Sequence, residues 1–204
     1  MSMHDRPIHL DLTCGSFERA SYKSPEDHTV FRLAQLVILL DEVAPVGGKP
    51  LDLERLGYYD FFAANPFAIF SADDRAEQAA LHRASFDERQ LSYASTGSRF
   101  ANRRKRLQHD FALLVAYRLV ERRAGAYGIT MHGKDFVNSL TALYAEQYRE
   151  SVRVVHKRFK GLSDMQLAAA VRGWLQTPSL LLDLYGSGEA NPDDSPAATP
   201  EDES

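Results

Sequence analysis

Apolar residues recur at helical spacing through most of the chain. From residue 137 they fall at Val137, Leu140, Tyr144, Tyr148, Val152, Val155 and Phe159. Steps of three and four keep these positions on one stripe of a 3.6-residue helix. Glu146, Arg149, Glu150, Arg153, Lys157 and Arg158 fill the other faces, and Gly161 is placed to stop the helix. The pattern predicts one helix over residues 137–159, about 22 residues and on the order of 33 Å long. Upstream, residues 111–117 (FALLVAY) are apolar on every side, which predicts a helix that is covered, either by the helices over residues 30–40 and 137–159 or by a partner chain. Between the two, residues 119–123 read as a strand, 124–126 as a glycine-bearing turn and 127–130 as a returning strand. Helix, short hairpin and long helix together predict a winged-helix-like unit in a mainly α fold.

The first half is also helical. Ser24, Pro25, Glu26 and Asp27 make a helix start, with serine as cap and proline in the first turn. Val30, Leu33, Val37 and Leu40 then share a face, widened by Leu36 and Ile38, and the helix ends near Ala44 and Pro45. Residues 51–64 predict a second helix with Asp52 as its cap, closed by Asn65 before Pro66. Tyr58, Tyr59, Phe61, Phe62, Phe67 and Phe70 crowd this stretch. Such density reads first as core, with a partner interface as the alternative. Residues 71–98 are more polar, with helices expected over 73–83 and 86–93 and Ser98 as the next cap. Ser163 and Gln166 are spaced as a capping box before Leu167, Val171, Trp174 and Leu175. The expected organisation is an N-terminal segment (1–23), a helical half (24–70), a polar insertion or linker (71–98), a winged-helix-like half (99–185) and a disordered acidic tail (186–204).

Charge sharpens this picture. Residues 186–204 hold Glu189, Asp193, Asp194, Glu201, Asp202 and Glu203 and no Lys or Arg. Those six acids exceed the chain's net charge of −4, so the remainder is slightly basic. Its main basic run, Arg99, Arg103, Arg104, Lys105 and Arg106, opens a helix, and Arg122 and Arg123 fall in the hairpin. Cations at the positive end of a helix are mildly unfavourable unless an anion offsets them. The run therefore reads either as a solvated face or as a surface for nucleic-acid phosphates or an acidic partner.

Sequence signatures of catalysis are missing. Val46-Gly47-Gly48-Lys49 lacks the spacing and helix-opening Ser or Thr of a phosphate loop. No Cys/His set has zinc spacing, and Cys14 is the sole cysteine. Cys14-Gly15-Ser16 has no base beside it, and the side chains of His109 and Asp110 point apart on a helix. Residues 1–7 show no signal-peptide pattern, and the longest aliphatic run, residues 36–40, is too short for a membrane. The expectation is a cytoplasmic non-enzyme without cofactor, metal, membrane or small-molecule substrate.

Leu51-Asp52-Leu53-Glu54-Arg55-Leu56 followed by Asp60, the helix from Val30 and the hairpin together resemble the middle component of ABC-three-component systems. The resemblance covers roughly residues 28–160. It implies an accessory partner of an SMC-like ATPase and an effector subunit in Lamassu-type anti-phage operons, with DNA as a further contact and no catalytic residues. A dimeric winged-helix transcription regulator is the competing reading.

Overall fold

The computed structural model describes residues 25–87 and 95–176. A 3-10 turn (Pro25–Asp27) leads into α1 (Thr29–Val43), β1 (Leu51–Asp52) and α2 (Leu53–Ala64). A second 3-10 turn (Pro66–Ile69) precedes α3 (Arg75–Arg83) and α4 (Thr96–Ala116). Then come β2 (Val120–Arg123), β3 (Ala126–Ile129), α5 (Met131–Ser139), α6 (Leu143–Phe159) and α7 (Asp164–Leu175). The fold is mainly α, with a helix–hairpin–helix unit, as the periodicity predicts.

The hairpin pairs Val120 with Ile129 through Arg123 with Ala126. Ala124 and Gly125 have φ of 49° and 86°, both left-handed, as a two-residue type I′ turn requires. The sequence reading missed β1, which pairs Leu51 with Tyr127 and makes the strand order β1-β3-β2. Two residues are too few to show alternation. Asp52 still caps α2, accepting from the Arg55 amide at 2.8 Å.

The single helix expected over residues 137–159 is two helices, α5 and α6, broken at residues 140–142. Tertiary packing overrides the continuous stripe. Gly133 of α5 lies so close to the end of α4 that an added Cβ would sit 2.1 Å from the Leu119 carbonyl oxygen. That contact fixes the direction of α5, while α6 packs on α1, α2 and α3. The buried Arg149 Nη2 donates to the Val137 carbonyl at 2.9 Å and ties α6 back across the break.

Other expectations shift as well. This chain by itself covers only part of residues 111–117: Phe111 and Leu114 are buried, and Val115 and Tyr117 are 37% and 60% exposed. They form the end of one long α4, capped by Ser95 rather than Ser98. The first helix begins at Thr29 after a separate 3-10 turn, and Val30 faces away from the core. α6 ends at Phe159 with Lys160 as its C-cap, so Gly161 stands just past the helix as expected. α4 ends in a Schellman pattern, with the Leu119 amide on Leu114 O and the Arg118 amide on Val115 O, both at 3.0 Å. Arg118, φ 59°, holds the position that glycine usually takes. The N-terminal segment 1–23, most of the helix expected over 86–93, and the acidic stretch lie outside the described residues.

The core is aromatic and centred on α6. Phe159 meets Tyr59 at 5.0 Å and Phe62 at 5.9 Å, and stacks on Trp174 at 5.7 Å. Ser163 and Gln166 form the expected capping box at the start of α7.

Candidate functional site

Helix α4 has two faces with different tasks. Its inner face carries Arg103, Leu107, Asp110, Phe111 and Leu114 into the core. Arg103 lies against α2: Nε donates to Asp60 Oδ2 at 2.6 Å and Nη2 to Asp60 Oδ1 at 3.0 Å. Nη2 also donates to Gln35 of α1 at 3.0 Å, and Gln35 Nε2 reaches the Tyr144 hydroxyl at 2.6 Å. Burial pushes the Arg103 guanidinium down, but the Asp60 carboxylate outweighs it and holds the group above its ordinary value. A second pair repeats the arrangement, Arg32 Nε on Asp110 Oδ2 at 2.7 Å. Beside this seam the Tyr148 hydroxyl is fully buried with no hydrogen-bond partner among the described residues, and burial raises it well above the usual phenol range.

The structure therefore divides the predicted basic run. Arg103 is internal. Arg99 is half-buried, donates to Asn65 Oδ1 and is pushed down by burial. Only Arg104, Lys105 and Arg106 face outward. Arg104 lies over the Tyr58 and Phe100 rings at 5.9 and 5.8 Å, with Glu54 at 3.9 Å. Arg106 is 3.4 Å from Asp27, and Lys105 has no carboxylate partner among the described residues. On the hairpin, Arg122 covers the Tyr127 ring at 5.7 Å and the exposed Arg123 holds Glu121 at 2.8 Å.

The aromatic set divides too. Tyr58, Tyr59, Phe61 and Phe62 are buried in the chain's own core, so they present no partner surface. Phe67 and Phe70 remain partly exposed. Large exposed apolar groups lie elsewhere and are scattered, Val30, Leu143 and Met165 among them; two of them, Tyr117 and Met131, 60% and 62% exposed, flank the junction where the Thr130 hydroxyl donates to Arg118 O at 2.7 Å.

Sequence reasoning missed Asp60, Asp110 and Gln35. Their signal was a polar residue inside an otherwise apolar helix face, which is rarely buried without a partner. Among the described residues no group of three or more His, Cys, Asp or Glu is placed to hold a metal, and no helix is long and apolar enough to cross a membrane.

The structure is thus an arrangement of helices around a short hairpin, locked by internal Arg–Asp pairs. The family model for the ABC-three component (ABC-3C) system Middle Component 2 matches residues 33–178. The chain belongs to that family and is thus part of a multi-component system with protein partners. No curated protein and no solved structure matches it.

Proposed function

We propose that this chain is the non-enzymatic accessory subunit of a cytoplasmic, Lamassu-type bacterial defence complex against phage and plasmids. In this reading it docks on an SMC-like ABC ATPase and an effector subunit, and its winged-helix-like unit touches DNA without reading sequence. Family membership over residues 33–178 carries the proposal. Two surfaces support it. The junction of α4 and α5, with Tyr117 and Met131 exposed, offers the apolar contact that a protein partner needs, and Phe67 and Phe70 offer a second. Arg104, Lys105, Arg106, Arg122 and Arg123 offer cations to phosphates, which bind by charge and counterion release rather than by base readout.

The test is co-purification of the full chain with a co-expressed SMC-like ATPase, and duplex-DNA binding at several salt concentrations. Tyr117→Lys with Met131→Lys is expected to lose the ATPase while keeping the helical circular dichroism of the parent. Arg104→Gln, Lys105→Gln and Arg106→Gln together are expected to flatten the log–log salt slope by about one per cation. Arg103 is left in place because it faces Asp60. Retention of the ATPase by the first variant defeats the docking surface. An unchanged slope defeats the DNA contact, and recovery of a defined palindromic site favours a dimeric regulator.

A further inference from the structure

We propose that the acidic stretch 186–204 of this same chain docks on the outward face of α4, over Arg104, Lys105 and Arg106. Three observations meet here. The first is where the described fold ends. Helix α7 finishes at Leu175 against the first turn of α4, so close that a methyl group on Gly97 would lie 3.7 Å from the Leu175 carbonyl oxygen. The last described residues therefore stand beside the helix that carries the cations.

The second is reach. Lys105 lies eight residues along α4 from Gly97, about 12 Å at 1.5 Å per residue. Glu189 follows Gln176 by 13 residues, which extended span at most on the order of 40 Å. A tether of this length holds its end at an effective concentration on the order of millimolar. A contact too weak to form between separate molecules is then populated within one.

The third is charge. Six acids and no Lys or Arg occupy residues 186–204. On the face they meet, Lys105 has no carboxylate among the described residues, while Arg104 and Arg106 are exposed and stand 3.9 and 3.4 Å from single carboxylates, Glu54 and Asp27. The three cations are consecutive in the middle of α4, so their charges add on its exposed surface. Their neighbours Arg99 and Arg103 are already committed inward. The same face is assigned to phosphates in the proposed function, so the inference rests on that reading only for its consequence. The stretch competes with DNA and must be displaced for DNA to bind.

The experiment uses the full chain with Cys14→Ser and a nitroxide spin label on Ala198→Cys, and reads amide relaxation by NMR without DNA. At about 0.01 M salt, where the screening length is about 30 Å, the α4 amides around Lys105 are expected to broaden. At about 1 M, where it is about 3 Å, the broadening is lost. Neutralising Glu189, Asp193, Asp194, Glu201, Asp202 and Glu203 to their amides also abolishes it and tightens duplex-DNA binding severalfold. The proposal is overturned if α4 shows no broadening at low salt, or if broadening survives neutralisation of the six acids. Since relaxation is read without DNA, a chain that binds no DNA defeats the proposed function alone.

Discussion

Asp60 and Arg103 show how one residue pair can decide the packing of three helices. Their carboxylate and guanidinium meet in fork geometry with side chains only 6% and 12% exposed. Removing one partner strands the other charge in the core, a loss that typically costs about 3–5 kcal/mol. Arg103→Met is therefore expected to lower unfolding stability by about that amount in urea titration, and Asp60→Asn added to it should recover part of the loss. A double variant no better than the single one would show that Asp60 finds another partner. The pair also explains the short motif in the first half of the chain. Asp52 caps α2, and Arg55 donates to Phe159 O and Leu162 O at 3.0 and 3.1 Å, closing the end of α6. Leu56 is fully buried and Asp60 clamps α4. The motif residues build the interlock between helices.

At the scale of elements, α2 and α6 pack antiparallel: Ser151 Oγ donates to Ala63 O at 2.7 Å, and His156 Nδ1 meets the Tyr59 hydroxyl at 2.9 Å. Burial lowers the His156 imidazole below its ordinary value of 6.5, and Lys160 and Arg55 lower it further against the opposing pull of Glu42. The folded chain thus binds fewer protons at this site than the unfolded chain as pH falls below that value. The stability due to neutral His156 is complete above it and is lost as pH drops toward the lowered one. His156→Gln keeps an acceptor for Tyr59 and is expected to show a smaller fall in Tm between about pH 7 and pH 5. An equal fall in both proteins would place the acid sensitivity elsewhere.

Across the whole molecule, helices from both halves of the chain share one core, since α6 packs on α1, α2 and α3 and α4 packs on α1 and α2. Trp174, the single tryptophan, sits against Phe62 and Phe159 and reports on the junction of α2, α6 and α7. We expect its fluorescence and the far-ultraviolet circular dichroism to trace one coincident denaturant transition. Two separated midpoints would show that the halves fold independently.

The mainly α class, the hairpin, the Asp52 cap and the Ser163 capping box were legible in the sequence, because each rests on spacing over a few neighbouring residues. The aromatic density of α2 was legible as core for the same reason. What lay beyond the sequence depended on residues distant along the chain. The break between α5 and α6 goes with their different packing, α5 close against Leu119 and α6 against α1, α2 and α3, which no stripe of apolar positions records. The pairing of β1 with β3 joins residues far apart in the chain, and its two-residue length leaves no period. The basic run looked uniform because its residues are alike in charge. Only the packing of α4 against Asp60 and Asn65 turned Arg103 and Arg99 inward and left Arg104, Lys105 and Arg106 facing solvent. Local pattern determines which elements form. Burial, which requires a partner for every charge, decides which residues remain at the surface.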